Sequence, residues 1–367
     1  MKIENLVRKE MSTLPLYRTE GLYDQQLNPR AAKLDLNENF VLEDEVLKKL
    51  LSEACARIDP RLYPSPYGGV ATKAISDFLG FDESQISVGN GADEVLDLMA
   101  KVFVSETSKA LIVEPTFSMY AYYTCLYGGK KVTAFLTPSF ELDQEEVLKK
   151  TDENTSLLFL CSPNNPTGNQ FRDAAIKKIL ENFTGVVVVD ETYVDFAGHT
   201  VIDLVRDFDN LVVVRTFSKA FGMAGIRFGF LVSNARIVEY VRKVTSPFNV
   251  NTITQSLINL ALQNWKYFEQ RAQLVIKERK WLTQMLTGIK GIVAYPSDAN
   301  FVLFNVAGTG LSSSTVARKL YKKNVWVKDR GDLPLLTNCV RVTVGTREMN
   351  EAFISALEET LEDESVA

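Results

Sequence analysis

The chain has 367 residues, of which 46% are hydrophobic and 24% are charged, and its formal net charge is −5 at pH 7. This length favours two domains, and the ordinary composition excludes disordered, collagen-like and coiled-coil chains. The near balance of charges gives no reason to expect nucleic acid or an anionic membrane as the main partner. Because no apolar run approaches the ~18 residues of a membrane span, we predict a cytoplasmic protein.

The cysteines and the single histidine narrow the possible chemistry. Cys55, Cys125, Cys161 and Cys339 form no CxxC pair, which is typical of free thiols in a reducing compartment. One histidine, His199, excludes an HExxH site, a His-rich zinc site and a facial triad, and no GxSxG motif accompanies it. We therefore expect no metal, an exposed His199, and chemistry that uses Lys, Asp, Tyr and Arg or an organic cofactor.

The first half of the chain has the pattern of an α/β protein. Residues 1–40 show no clear period and are interpreted as an arm. Helical spacing of apolar residues follows, and then short, continuous apolar runs that predict strands. The helices are predicted at 43–58 and 70–79, and the strands at 86–88, 110–113, 157–160, 186–189 and 211–214. Runs of this kind without alternation favour strands buried on both faces, hence a parallel sheet covered by helices.

After Pro247 the pattern changes. A long helix is predicted at 255–286, strands at 300–306, 325–328 and 341–344, and a last helix from Glu348. This mixture predicts a second, smaller α+β domain. The division we predict is an arm at 1–40 that packs with the small domain, a large domain at 41–250 and a small domain at 251–367.

Polar residues follow three of the predicted strands at the point where each strand ends. Ligands of open parallel sheets bind beyond the carboxyl ends of the strands. In chain order these ends supply an amide, a carboxylate with a phenol three residues on, and a lysine framed by hydroxyls: Asn165, Asp190, Tyr193, and Lys219 with Thr216 and Ser218. Arg227 follows in a glycine-rich stretch, and residues 89–94 begin a helix whose free N–H groups suit an anion.

These residue types describe one particular chemistry. A partly desolvated lysine can form a Schiff base with a carbonyl cofactor, and a buried carboxylate keeps a pyridine nitrogen protonated. Hydroxyls, an arginine and a helix start can hold a phosphate. Taken singly, Asp190 could be a helix cap, Lys219 a surface lysine, and the turn at 165–168 only a turn. Their order along the chain favours a pyridoxal-phosphate site.

At this point the chain resembles the fold-type I pyridoxal-phosphate aminotransferases, and it is most similar to the histidinol-phosphate aminotransferases among them. The motifs of the larger group are Ser-Pro-Asn-Asn-Pro-Thr-Gly at 162–168, Asp-Glu-Thr-Tyr at 190–193 and the segment 216–227. Those of the subgroup lie at 36–39, 63–64, 89–94, 247–250 and 339–346. The resemblance implies a three-layer large domain with a mostly parallel central sheet and a smaller α+β domain.

The resemblance also implies a role for each matching residue. Lys219 is the Schiff-base lysine and moves a proton, Asp190 pairs with the pyridine nitrogen, and Tyr193 with Asn165 holds the 3-oxygen. Phosphate is held by Ala92, Asp93, Thr216, Ser218 and Arg227, and Phe117 stacks on the ring. Tyr63 reaches the cofactor of the other subunit, which implies an obligate homodimer. The substrate is bound by Tyr17, Asn37, Lys328, Arg330 and Arg341.

Two departures from the family pattern concern the substrate. Lys328 stands thirteen residues before Arg341, at a position where the family usually has an arginine. A lysine keeps the positive charge but lacks the paired N–H donors with which a guanidinium binds two oxygens of a phosphate. Arg330 is an alternative for that role. Phe40 replaces the usual proline after Asn39.

We predict transamination between histidinol phosphate and 2-oxoglutarate. An aromatic amino-acid aminotransferase and an amino-acid-phosphate decarboxylase on the same fold remain open. A binding protein that retains the fold without turnover is the alternative of another class, which a cofactor spectrum would separate. A nicotinamide dehydrogenase is excluded because the segment 89–91 lacks the rest of the dinucleotide fingerprint.

Overall fold

The structure is a computed structural model, and it describes residues 3–12, 14 and 31–365. Within them the α-helices are α1 (Asp44–Ala56), α2 (Gly69–Leu79), α3 (Gly91–Phe103), α4 (Met119–Leu126), α5 (Gln144–Lys149), α6 (Asp173–Asn182), α7 (Ala235–Val244), α8 (Thr252–Gln263), α9 (Trp265–Gly288), α10 (Ser313–Lys322) and α11 (Arg347–Ser365). The strands are β1 (Ala32–Lys33), β2 (Ile86–Gly89), β3 (Lys109–Glu114), β4 (Lys130–Phe135), β5 (Thr155–Cys161), β6 (Val186–Asp190), β7 (Leu211–Thr216), β8 (Gly229–Ser233), β9 (Val293–Ala294), β10 (Phe301–Asn305), β11 (Val325–Trp326), β12 (Lys328–Asp329) and β13 (Cys339–Thr343).

The central sheet has seven strands in the order β2, β8, β7, β6, β5, β3, β4. All are parallel to one another except β8, which is antiparallel to both of its neighbours. The mostly parallel sheet and the five strands predicted for it are confirmed. Sequence reasoning missed β4, an edge strand that begins with two exposed lysines, and β8, a short run that begins with Gly229.

Helices cover both faces of this sheet. Alternate residues of β6 and β7 belong to different apolar clusters: Val188 and Val212 share one with residues of α3, α4 and α7, whereas Val187 and Val213 share the other with residues of α2, α6, α8 and α9. All four valines are fully buried, and each such side chain contributes about 1.5–3 kcal/mol of hydrophobic free energy. The three-layer α/β arrangement of the prediction is confirmed.

The C-terminal part contains an antiparallel sheet in the order β12, β13, β10, β9. The strand predicted at 325–328 was wrong as a single element. Val325–Trp326 pairs in parallel with Ala32–Lys33, whereas Lys328–Asp329 pairs with β13, so that Lys328 lies opposite Arg341. The change of partner at Val327 therefore brings the N-terminal segment and the C-terminal sheet together.

The helix predicted at 255–286 was also wrong as a single element. The chain leaves the helical path at Asn264, whose side chain donates to the carbonyl of Leu260 at 2.8 Å, and α9 begins at the next residue. The predicted domain boundary near residue 250 stays a prediction. In the described part of the chain, no helix has the length and apolar character needed to span a membrane.

Candidate active site

A cavity of about 320 Å³ lies beyond the carboxyl ends of β5, β6 and β7. The three strands are neighbours in the sheet, and this explains why residues that are distant along the chain meet here. The cavity is lined by predicted site residues from all parts of the chain, namely Asn37, Ala92, Asp93, Phe117, Asn165, Asp190, Tyr193, Thr216, Ser218, Lys219, Arg227, Lys328, Arg330 and Arg341.

Lys219 follows the end of β7 and reaches into the cavity. Its ammonium donates to the carbonyl oxygen of Leu36 at 2.9 Å and lies 5.9 Å from the ring centre of Tyr193. Burial lowers the pKa of Lys219 to about 8, and the positive charge of Arg341 contributes in the same direction. Because a neutral amine is a nucleophile and a base, this lysine is suited to both roles near neutral pH.

Asp190 is the last residue of β6 and is 4% exposed. One carboxylate oxygen, Oδ2, accepts from the hydroxyl of Tyr120 at 2.7 Å, and Oδ1 accepts from the backbone N–H and the hydroxyl of Thr192 at 3.0 and 2.6 Å. Burial raises the pKa of Asp190, whereas these hydrogen bonds act in the opposite direction. Sequence reasoning missed Tyr120, since α4 contains three tyrosines and no pattern distinguishes this one.

A hydrogen-bonded group surrounds the phenol of Tyr193. Its hydroxyl accepts from the side-chain amides of Asn37 at 3.0 Å and Asn165 at 3.4 Å. Arg341 donates to the amide oxygen of Asn165 at 2.6 Å and to the carbonyl of Asp35 at 2.6 Å. Burial raises the pKa of Tyr193 to about 12, so the phenol keeps its proton and has a donor to offer to a ligand oxygen.

The start of α3 and Arg227 form a corner of the cavity with donors suited to an anion, which we call the anion cup. Arg227 lies in the left-handed region at φ 56° and donates to Oδ2 of Asp93 at 2.9 Å. A Cβ atom at Gly91 would collide with the Arg227 guanidinium, and a Cβ at Gly229 would collide with the backbone nitrogen of Ala92. Only glycine at both positions allows the guanidinium and the sheet to approach the free N–H groups of the helix.

Two hydroxyls complete the anion cup. The hydroxyls of Thr216 and Ser218 lie 3.1 Å apart, and the Thr216 hydroxyl donates to the carbonyl of Phe228 at 3.0 Å. Both residues are buried. This set of N–H groups, hydroxyls and one arginine suits a phosphate dianion.

The donor set as a whole fits pyridoxal phosphate. A buried carboxylate at Asp190 matches a protonated ring nitrogen, and the phenol of Tyr193 matches a ring oxygen. Lys219 matches the aldehyde, and the anion cup matches the phosphate. The ring of Phe117, which packs edge-on against Tyr120 with centroids 5.6 Å apart, lines the cavity and is a candidate to stack on a cofactor ring.

A second cationic group lines the same cavity and consists of Lys328, Arg330 and Arg341. Lys328 is half-buried, and within the described residues its ammonium has no hydrogen-bond or ion-pair partner. Burial and the charges of Arg330 and Arg341 lower the pKa of Lys328. An anion bound among these three side chains would relieve that repulsion.

Of the residues singled out from the sequence, Tyr63 and His199 do not line this cavity. Tyr63 does not line the cavity of its own chain; it is 83% exposed, and its ring stacks on Phe248 with centroids 4.9 Å apart. Tyr17 lies outside the described residues. His199 is exposed, as expected, and its Nε2 lies 2.8 Å from the carboxylate of Asp173.

Comparisons with known proteins agree with this geometry. The model of the family "Aminotransferase class I and II" matches residues 31–357. The chain is 34% identical over 361 residues to the histidinol-phosphate aminotransferase of Thermoanaerobacter pseudethanolicus, covering 98% of this chain and 99% of the relative. It is 38% identical over 337 residues to that of Thermococcus gammatolerans, covering 91% and 93%.

The fold is also that of a solved structure. The crystal structure of histidinol-phosphate aminotransferase from Sinorhizobium meliloti in complex with pyridoxal 5′-phosphate superposes with a TM-score of 0.88. The two chains are 23% identical, and the superposition covers 98% of each. At this identity the likeness is one of fold.

Proposed function

The chain belongs to the class I and II aminotransferases, and we propose that it transfers the amino group of histidinol phosphate to 2-oxoglutarate. It is an enzyme that depends on pyridoxal phosphate. The products of the proposed reaction are imidazole acetol phosphate and glutamate, so the step belongs to histidine biosynthesis. The observation that carries the proposal is Lys328, a half-buried cation without a partner in the described chain, beside two arginines of the same cavity.

Bound pyridoxal phosphate supplies an aldehyde that amines attack and a ring that withdraws electrons from the carbon next to the amine. We assign the protein groups as follows. Asp190, held by Tyr120 and Thr192, would keep a proton on the ring nitrogen, and Tyr193 with Asn165 would donate to the ring oxygen. Phe117 would stack on the ring, and Ala92, Asp93, Thr216, Ser218 and Arg227 would hold the phosphate.

Lys219 has two tasks in this proposal. It would hold the cofactor before the substrate arrives, and afterwards its Nζ would move a proton between the substrate carbon and the cofactor. The pKa of about 8 leaves a useful fraction of neutral amine at physiological pH, which a general base needs. The carbonyl of Leu36, 2.9 Å from Nζ, orients the amine.

The second cationic group serves the substrate. We propose that Arg341 binds the anionic end of either substrate and that Lys328 and Arg330 complete a site for the phosphate of histidinol phosphate. Arg341 is fixed by Asn165 and the Asp35 carbonyl, so little conformational freedom is lost on binding. An aromatic amino acid would leave the charge of Lys328 unpaired, whereas an amino-acid phosphate would not.

We also propose a homodimer in which Tyr63 completes the site of the partner chain. The proposal is supported by the exposed apolar side chains of Leu62, Tyr63 and Phe248, of which Tyr63 and Phe248 stack on each other. Apolar patches of this kind mark interaction surfaces on folded proteins. We further propose a cytoplasmic location, because all four cysteines are free thiols, which is usual in a reducing compartment.

The dimer can be tested by mixing two inactive variants. Lys219→Ala and Tyr63→Ala chains are unfolded together and refolded as a mixture. If the sites are shared, one site of each mixed dimer has both residues intact, so about a quarter of all sites recover. Absence of recovery, with mixed dimers shown to form, contradicts the shared site.

The reaction is tested by single-turnover absorption spectra of the purified holoenzyme. We expect histidinol phosphate at low concentration to convert the cofactor to its amine form, and 2-oxoglutarate to restore it with formation of glutamate. Phenylalanine and O-phosphothreonine are run beside it. Conversion by phenylalanine alone would assign the chain to aromatic substrates, and release of carbon dioxide from the phosphorylated amino acid would assign it to decarboxylation.

A further inference from the structure

The segment at residues 36–38 forms a wall of the cavity directly beside Lys219. The carbonyl of Leu36 accepts from the lysine ammonium, and the side chain of Asn37 donates to Tyr193. The side chain of Asn39 donates to the carbonyl of Ala220, the residue after Lys219. Glu38 lies between these contacts along the chain, lines the cavity and is close enough to Lys219 for its charge to raise the pKa of that lysine, so a substrate bound beside Lys219 can contact it.

Glu38 forms an ion pair with a buried lysine. Its Oε2 pairs with Lys33, whose side chain is 7% exposed and whose ammonium also contacts Asp35 at 3.1 Å. Two carboxylates share one ammonium, so this trio carries a net charge of −1. Within the described residues, Oε1 of Glu38 has no hydrogen-bond partner, and the side chain is 28% exposed.

The other carboxylates that line the cavity have different tasks. Asp190 accepts hydrogen bonds on both oxygens, and Asp93 is paired with Arg227 in the anion cup. Within the described chain, Glu38 is the cavity carboxylate that is engaged neither at the ring-nitrogen position nor at the anion cup. Because Glu38 lies beside Lys219 and outside the anion cup, its carboxylate is available to accept a hydrogen bond from the substrate.

We propose that Glu38 determines specificity by accepting a hydrogen bond from the imidazole N–H of the substrate. The inference rests on the proposed function. The second cationic group takes the phosphate of histidinol phosphate, the amine reacts beside Lys219, and the ring N–H then requires an acceptor, because a buried donor without a partner is costly. Glutamate, the amine that the second half-reaction yields, has no such N–H group.

The test compares two half-reactions of the same holoenzyme variants. For Glu38→Ala we expect the ratio of kcat/KM for histidinol phosphate to kcat/KM for glutamate to fall about 10- to 100-fold, as for a hydrogen bond to a charged group. The loss is expected mainly in KM. Glu45→Ala is the matched control, since it removes an exposed carboxylate of α1 that does not line the cavity, and the same ratio for this variant is expected to stay within about threefold of the wild-type value.

A second variant and a second readout protect the test against misfolding. Glu38→Gln keeps the size of the side chain and an oxygen for Lys33. For this variant we expect the ratio of kcat/KM for histidinol phosphate to kcat/KM for glutamate to fall at least about fivefold. In a Lys219→Ala background, which cannot turn over, calorimetry is expected to show weaker binding of histidinol phosphate when Glu38→Ala is added.

The outcomes separate the two proposals. If the wild type uses glutamate but not histidinol phosphate, the proposed function fails and the inference fails with it. If the wild type uses histidinol phosphate and both Glu38 variants keep the wild-type ratio, the inference alone is overturned. An equal fall in Glu45→Ala and Glu38→Ala also overturns it, because the effect would then not depend on the carboxylate in the cavity.

Discussion

The two walls of the cavity are built in different ways. The wall that we assign to the cofactor comes from the ends of three adjacent parallel strands, where Asn165, Asp190 and Lys219 follow buried runs. The opposing wall, which we assign to the substrate, comes from segments that lie 306 residues apart in the chain. Contacts of Asn37 with Thr343 and of Arg341 with Asp35 join these segments. The first wall depends on local sequence, whereas the second depends on how distant segments pair, and we expect the first to govern rate and the second to govern substrate choice.

The largest effect is expected at Lys219. Lys219→Ala removes both the covalent attachment and the base, so we expect kcat for transamination to fall at least about 10³-fold while the protein still folds. Steady-state assays with histidinol phosphate measure it, and circular dichroism checks the fold. Lys243→Ala on the exposed face of α7 is the control. Retained turnover would contradict the assignment of the cofactor wall.

Asp190→Asn comes next. An amide cannot stabilise a proton on the ring nitrogen as a carboxylate does, and we expect kcat to fall about 100-fold or more with KM for both substrates changed much less. Asp195→Asn is the matched control, because Asp195 is a neighbouring carboxyl whose pKa burial raises to about 6 but which does not line the cavity. A loss that appears mainly in KM would remove the distinction between the two walls.

Lys328 tests the opposing wall. Lys328→Ala should raise KM for histidinol phosphate about 10- to 100-fold, the loss expected for a charge-assisted contact, with little change in kcat. Lys328→Arg restores the bidentate fork and should lower KM below the wild-type value. If Lys328→Arg leaves KM unchanged while Arg330→Ala raises it, Arg330 is the residue that binds the phosphate.

The pH dependence of cofactor uptake sharpens the role of Lys219 without any substitution. Capture of pyridoxal phosphate by the apoenzyme needs the neutral amine, and the pKa of Lys219 is lowered to about 8. The rate should therefore rise about tenfold between pH 7 and pH 9 and level off above pH 9. Stopped-flow absorbance measures it. A rate that still rises steeply above pH 9 would show a lysine with an ordinary pKa.

The smallest effect is expected for Tyr120→Phe. Loss of the hydroxyl removes one donor to Asp190, which raises the pKa of that carboxyl further, so kcat should fall about threefold to tenfold and the acid limb of the pH–rate profile should move to higher pH. Tyr123→Phe on the same helix is the control, since the hydroxyl of Tyr123 does not contact Asp190. Equal effects in both variants would indicate packing and not positioning.

The sequence allowed the cofactor wall to be predicted because its residues stand at fixed places after apolar runs. It also indicated Arg341 and Lys328, but only through the family resemblance. Tyr120 could not be predicted, because its role depends on a contact with Asp190, 70 positions away in the chain. The role of Glu38 could not be predicted either, because it depends on the pairing of this residue with the buried Lys33. The divided strand at Val327 was missed for the same reason: residues 325–327 form an apolar run that leads directly into Lys328, and the two elements differ only in pairing, one with β1 and the other with β13.

That divided strand has a consequence for how such enzymes diversify. Lys328 owes its position opposite Arg341 to the register between β12 and β13, and a one-residue slip of a strand turns every side chain to the other face. A change in the length of the connection at 330–338 would thus exchange the groups offered to a substrate in one step. The ends of β5, β6 and β7 would stay as they are, so new specificities can evolve without rebuilding the catalytic centre.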